Sequence, residues 1–249
     1  MHRLLSPAGL ASLRSFDRGR ALVALDFDGT LAPLVRDPDA VSIPAEILAP
    51  LEALAATRAV AVISGRSLAD LVWRVPVQGL QFFGNHGIEN GPGWPASGPT
   101  YRSIAARWRE QLSASGVSTR NHPGVWLEDK HYSLVIHFHG EADQAQRLRE
   151  LVERLDPAPR VIPGSAIWNM VPVGAPGKGD ALALAASRAG CTAAIYVGDD
   201  HTDEDAFSAT HLPVFALRVG HTEVSGAGFY LEDQRDVGAF LRELQKMAV

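Results

Sequence analysis

Two carboxylates spaced two residues apart, Asp26 and Asp28, close the apolar run that begins at Ala21, and Gly29 and Thr30 follow at once. On an extended segment, side chains two apart point to the same side, so both acids face one space just beyond a strand's end. Neighbouring carboxylates repel each other unless a cation or a shared proton relieves them. Mg²⁺ suits such a pair, because it favours one or two carboxylates together with phosphate oxygens and water. Three further polar clusters stand at equivalent places: Ser64 after Ala59–Ile63, Lys178 after Gly177, and Asp199 with Asp200 after Ala193–Val197. Singly these read as a turn serine, a surface lysine and a capping pair. Together they supply a nucleophile, a cation, a hydroxyl donor and a third acid, which is the equipment of phosphoryl transfer.

The elements that must bring these residues together are legible as apolar runs. Ala21–Leu25, Ala59–Ile63, Leu80–Phe83, Ala193–Val197 and Val214–Val219 read as strands buried on both faces, as in a parallel sheet. Between them lie helical patterns. One starts at Pro44 and carries Ile47, Leu48, Leu51 and Leu54; another is capped by Ser67 and carries Leu68, Leu71 and Val72. Lys178–Ala189, Asp203–Ala209 and Val237–Met247 supply three more, and Leu4, Leu10, Leu13 and Phe16 mark a short packed helix near the start. Pro50 falls inside the pattern that starts at Pro44 and is expected to kink or divide that helix. Strands alternating with helices imply right-handed crossovers and a parallel sheet, with ligands beyond the strands' carboxyl ends.

In the middle of the chain the rhythm changes. A Gly- and Pro-rich stretch from Asn90 to Pro99 leads to a helix over Ile104–Leu112, a hairpin of Val125–Asp129 and Ser133–His139, a helix over Ala142–Leu155 and a second strand pair, Arg160–Pro163 and Ala166–Val171. This is an α+β insert with an antiparallel sheet. The expected division is a core from 1–98 and 175–249 and an insert from 99–174, the insert lying over the carboxyl edge of the core sheet. Alternation puts Leu134, Ile136 and Phe138 on one face of the insert's sheet and Glu128, Lys130, His137, His139 and Asn169 on the other.

Composition narrows the class of function. A hydrophobic fraction of 46% and a charged fraction of 20% over 249 residues are those of an ordinary globular protein. The net charge of −5 argues against general nucleic-acid or anionic-membrane binding. One cysteine, Cys191, excludes an intrachain disulfide framework. The apolar runs near the start are too short for a signal peptide or a membrane span, and a cytoplasmic protein acting as a monomer is the expectation.

The runs Asp26-Phe27-Asp28-Gly29-Thr30-Leu31, Ser64-Gly65-Arg66, Lys178-Gly179 and Gly198-Asp199-Asp200 resemble the four motifs of the haloacid dehalogenase-like phosphatases. More narrowly, Gly84-Asn85-His86-Gly87, Glu128-Asp129-Lys130 and the stretch from Gly198 to Phe207 resemble the trehalose-6-phosphate phosphatases. The resemblance implies an α/β fold with a Rossmann-like core and an inserted α+β cap. It implies Asp26 as the nucleophile that becomes an aspartyl phosphate, and Asp28 as acid and then base. Ser64 and Lys178 would bind phosphoryl oxygens, and Mg²⁺ would be held by Asp26, Asp199 and the main-chain carbonyl of Asp28. Asp200 and Asp203 would support these groups from behind. Thr30, Arg66, Asn85, His86, Glu128, Lys130, His137 and Asn169 would meet the phosphosugar.

The chain departs from the family pattern in the insert. Gly164-Ser165 and Asn169-Met170-Val171-Pro172 stand where the family carries Gly-Lys and Glu-x-x-Pro, and His139 stands where it carries an arginine. The expected activity is therefore hydrolysis of trehalose 6-phosphate, with a related phosphosugar as the alternative substrate. A phosphosugar-binding regulator without catalysis ranks low, because Asp26 and Lys178 are both kept. A phosphate-accepting receiver domain is disfavoured by the long insert and by two acids on one strand.

Overall fold

In chain order, strand β1 (His2–Arg3) and helix α1 (Pro7–Asp17) precede β2 (Leu22–Leu25), α2 (Ala45–Ala55), β3 (Val60–Ile63), α3 (Leu68–Arg74) and β4 (Gln81–Phe83). The insert contributes α4 (Gly98–Ala114), β5 (Val125–Asp129), β6 (Leu134–Phe138), α5 (Ala142–Glu153), β7 (Arg160–Gly164) and β8 (Ile167–Val171). The chain then forms α6 (Lys178–Arg188), β9 (Ala194–Gly198), α7 (Glu204–Phe207), β10 (Val214–Val219), β11 (Phe229–Leu231) and α8 (Asp236–Met247). The structure is a computed structural model and describes residues 1–17, 20–35, 37, 40–90, 97–117, 124–138, 142–164 and 167–247. They fall into two units, Met1–Asn90 with Pro176–Val249, and Gly91–Ala175.

Among the described residues the first unit holds one seven-stranded sheet, ordered β1-β11-β10-β9-β2-β3-β4, with every neighbouring pair parallel. Its strands β2 and β3 are apolar at every position because both faces are covered. Val23, Leu25, Val62, Ile195 and Val197 pack with Ile47 and Leu51 of α2, Leu71 of α3 and Phe240 of α8. The alternate residues Leu22, Ala24, Ile63 and Tyr196 pack with Ala181, Leu182 and Ala185 of α6 and Phe207 of α7. The strand order places β9 beside β2, so the ends of β2, β3 and β9 meet at one edge with the start of α6.

Pro50 does not divide its helix: α2 runs unbroken from Ala45 to Ala55. A proline lacks the N–H that would bond the carbonyl four residues back, here Glu46. Arg242 of α8 donates Nη1 to the Glu46 carbonyl at 3.3 Å, and Gln245 donates to the Pro50 carbonyl at 2.7 Å. A neighbouring helix thus satisfies the acceptor that the proline leaves open. A second long-range tie is buried. Arg58, just past α2, grips both carboxylate oxygens of Asp17 at the end of α1 and also donates to the Ala21 carbonyl at 3.0 Å. Their side chains are 3% and 1% exposed.

The second unit is a four-stranded antiparallel sheet, β5-β6-β8-β7. One face, with Val125, Leu134, Ile136 and Met170, packs on Trp108 and Leu112 of α4 and Leu148 and Val152 of α5. This is the alternation read from the sequence. The short strands β1 and β11 were not foreseen: two and three residues carry no periodic signal.

Candidate active site

Asp26 leaves β2 with its amide bonded to the Val197 carbonyl of β9 at 2.9 Å, so the first residue beyond the strand is still held by the sheet. It is 5% exposed. Lys178, the first residue of α6 and itself buried, puts Nζ 3.1 Å from Asp26 Oδ2 and 2.7 Å from Asp203 Oδ1. Burial alone would lower the lysine's pKa; Asp203 and Asp26 more than reverse this, so the ammonium stays charged. Burial pushes the Asp26 carboxyl well up; Lys178 opposes the shift, and the charges of Asp203 and Asp199 add to it.

Asp203 is fully buried and is the hub of the site. Oδ1 accepts from Lys178 Nζ and, at 2.8 Å, from the hydroxyl of Tyr196. Oδ2 accepts from the backbone amides of Asp199 at 3.0 Å and Asp200 at 2.9 Å. One side chain therefore fixes both the lysine and the loop that carries Asp199. Arg218 of β10 holds that loop from the other side, donating to the carbonyls of Asp199 and Asp200 and to Glu204. Asp205 accepts from the Gly179 amide at 2.9 Å, tying the start of α6 to the same segment. Asp199 is pushed up to about 7 by burial and by Asp203, against the opposing pull of Lys178 and Arg218. Asp200 is exposed.

Asp28 is held by a bidentate guanidinium: Arg66 Nε and Nη2 each lie 2.7 Å from one of its oxygens. Arg66 also donates to Asp70 at 2.8 Å and sits over the Phe27 ring at 5.2 Å. Asp70 in turn receives Arg74. Ser64, 1% exposed, donates its amide to Phe83 of β4 and accepts the Arg66 amide on Oγ at 3.3 Å. Thr30 is fully buried and its Oγ1 has no partner among the described residues. Gly29 is obligatory. It has φ +76°, and a Cβ there would fall 2.1 Å from Asp199 Oδ2.

Asn85 and His86 brace the loop of Ser64 to Arg66 from beneath. Both have positive φ, 52° and 56°. Their amides bond the carbonyls of Arg66 at 2.6 Å and Ser64 at 2.9 Å. Asn85 is fully buried and donates to Glu89, which also caps α3 through the Leu68 amide. A side chain at Gly65 would collide with the His86 ring at 2.6 Å. Asn85 and His86, expected to meet the phosphosugar, thus lie against the Ser64–Arg66 loop at the same edge as Asp26.

The acids can hold a metal ion. One oxygen from each of Asp26, Asp199 and Asp203 lies within 4.8 Å of the others. Asp203 already serves four protein donors, whereas Asp26 Oδ1 and Asp199 Oδ1 are buried acceptors without a partner among the described residues. Buried acceptors of this kind are costly unless something fills the space between them, and a hard cation with oxygen ligands does so.

Residues 24–226 match the model of the trehalose-phosphatase family. The chain belongs to that family. It is 36% identical over 244 residues to an uncharacterized glycosyl hydrolase of Mycobacterium tuberculosis, covering 90% of this chain and 18% of that protein. It is 33% identical over 246 residues to the trehalose-phosphate phosphatase of Mycobacterium marinum, covering 90% of this chain and 61% of that one. The chain thus spans less than two thirds of the length of the curated relatives it matches first. The structure of Aspergillus fumigatus trehalose-6-phosphate phosphatase superposes with a TM-score of 0.65 at 25% identity, covering 99% of this chain and 100% of that one.

In this chain the insert's second sheet face carries a connected group. The Trp126 ring stacks on His137, 4.5 Å between centroids and 3° from parallel. His137 Nε2 is 2.8 Å from Glu128 Oε2, and Lys130 Nζ is 3.7 Å from Glu128 Oε1. Burial would raise Glu128, but His137 and Lys130 lower it below the usual carboxylate range. Asn169 shares this face through its pairing with Val135, yet it is 4% exposed and its Nδ2 lies 3.5 Å from the Ile162 carbonyl. The face is also more apolar than alternation by polar residues suggests, since Val135 is buried on it. Ser165 and His139 lie outside the described residues.

Sequence reasoning missed Tyr196, Arg218, Glu89 and Asp205. Tyr196 was hidden in an apolar strand. Its hydroxyl was the one signal available, because a buried tyrosine needs a partner for its O–H.

Proposed function

We propose that the protein is a Mg²⁺-dependent phosphomonoester hydrolase acting on trehalose 6-phosphate. One observation carries the reading: a buried ammonium shared between Asp26 and Asp203, beside two buried carboxylate oxygens that lack partners among the described residues. Asp26 attacks phosphorus, the bond from phosphorus to the sugar oxygen breaks, and Asp28 gives its proton to that oxygen. A water then attacks the aspartyl phosphate, Asp28 takes its proton, and inorganic phosphate leaves as the Asp26 carboxylate is restored. Arg66 fixes the direction of Asp28 through two 2.7 Å contacts. Its bidentate grip leaves a lone pair on each oxygen for the proton used in the first step. Lys178 and Ser64 meet the phosphoryl oxygens. Asp26, Asp199 and the main-chain carbonyl of Asp28 would hold Mg²⁺, which would offset negative charge on the transferring group.

The polar face of the insert supplies sugar recognition through Glu128, Lys130 and His137. Asn169 contributes least, because its side chain is buried against the Ile162 carbonyl, and this observation favours a broader choice of phosphosugar as the second reading. A phosphate-release screen over a phosphosugar panel, with and without Mg²⁺, tests both. Fast release from trehalose 6-phosphate that vanishes in Asp26→Asn supports the proposal. Preference for another phosphosugar moves the substrate, and undiminished turnover in Asp26→Asn refutes the mechanism.

A further inference from the structure

Asp203 Oδ1 carries two donors from different elements, Lys178 Nζ at 2.7 Å from α6 and the Tyr196 hydroxyl at 2.8 Å from β9. The lysine is divided, with Asp26 Oδ2 at 3.1 Å as its other partner. The geometry points to Tyr196 as a positioning residue for phosphoryl transfer: its hydroxyl occupies part of Asp203's acceptor capacity and so leaves Lys178 free to serve Asp26 and the transferring group. This inference rests on the phosphatase reading above.

The reasoning is one of competition for a single ammonium. A buried carboxylate oxygen with one donor attracts that donor more strongly than an oxygen with two. Remove the phenol and Asp203 Oδ1 faces Lys178 alone. The shorter of the lysine's two contacts tightens and the longer one, to Asp26, loosens. Ground-state binding of a phosphate ester, made by several donors, changes little. The negative charge that develops on the equatorial oxygens in the transition state meets a less available cation, and there preorganised donors matter most. Tyr196 is fully buried, and its ring packs edge-on to Phe207 at 5.8 Å. Phenylalanine keeps that packing and deletes only the hydroxyl.

The test is Tyr196→Phe in the Mg²⁺-loaded protein. The expected result is a fall in kcat of about tenfold, below the ~10²–10³ lost when a donor acting directly on a transition state is removed. KM should stay within about twofold, and the loss should be equal for trehalose 6-phosphate and a small aryl phosphate. Orthovanadate, which copies the five-coordinate geometry, should bind about tenfold more weakly, while inhibition by inorganic phosphate holds within about twofold. Site-specific 3-fluorotyrosine at position 196 returns the hydroxyl and should restore most of kcat. A merely structural role would lower the melting temperature and weaken vanadate and phosphate alike; that pattern overturns the inference, as does parental kcat and vanadate affinity in the phenylalanine variant. A parent protein that releases no phosphate from any ester overturns the phosphatase reading itself and the inference with it.

Discussion

The carboxyl of Asp199 makes metal-free stability depend on pH in a direction opposite to ordinary acid denaturation. Burial and Asp203 raise it from the usual 3.8 to about 7. Over that window the folded chain binds a proton that the unfolded chain has released, so stability is highest at the acid end and falls as pH rises. Three pH units at ~1.36 kcal/mol each give a total of about 4 kcal/mol, of which about 2.7 kcal/mol lies between about pH 5 and about pH 8. Asp26 is shifted in the same direction and adds to the trend. The perturbation is Asp199→Asn, which cannot ionise. In chelator-treated protein, the melting temperature of the parent minus that of the variant should drop by roughly 5–11 °C between those pH values, at ~2–4 °C per kcal/mol for a chain of this size. Saturating Mg²⁺ at the alkaline end should raise the parent by about 2.7 kcal/mol at a hundredfold excess over Kd and leave the variant nearly unmoved. Below about pH 7 the ion must displace a proton, so its apparent affinity should fall by about a factor of ten per pH unit. Parallel melting curves for parent and variant across this range, or an equal Mg²⁺ effect on both, would refute the assignment of the raised pKa to Asp199 and of the metal to its orphaned oxygen.

Two further outcomes follow from other parts of the molecule. Lys130→Ala should cut kcat/KM for trehalose 6-phosphate far more than for a small aryl phosphate, which presents no sugar hydroxyls; equal losses would show that the insert's face does not read the sugar. Asp17→Ala strands the Arg58 guanidinium in the core and should cost about 3–5 kcal/mol in urea unfolding with kcat unchanged, whereas replacing both residues by leucine should cost much less; a double variant as unstable as the single one would mean that the buried charge is not the cause.

Much of the core was legible because buried parallel strands are apolar at every position, so Leu22–Leu25, Val60–Ile63 and Ala194–Gly198 stand out as runs and their polar successors stand out against them. The support of the site was less legible. Asp200 and Asp203 look equivalent in sequence, yet one is exposed and the other is a fully buried hub with four donors. Nothing local distinguishes them; the difference lies in which one meets Tyr196 and Lys178 across the fold. Pro50 shows the same dependence on distant contacts, since its cost falls on the Glu46 carbonyl and the remedy comes from Arg242 near the other end of the chain. Asn85 and His86 were expected to meet the phosphosugar because the Gly84–Gly87 run resembles the family's, and their positive φ and their backbone bonds to Ser64 and Arg66 emerge only in three dimensions.

The pairing of β2 with β9 has a consequence for synthesis of the chain. As the polypeptide emerges, β2, β3 and β4 can align early, but β2 then presents a bare row of amides and carbonyls until residues 194–198 arrive. A strand destined for the centre of a sheet is, for that interval, an unprotected apolar edge of the kind that templates aggregation. Charged residues beside an apolar strand are the usual guard against such aggregation, and Asp26 and Asp28 stand at its tip.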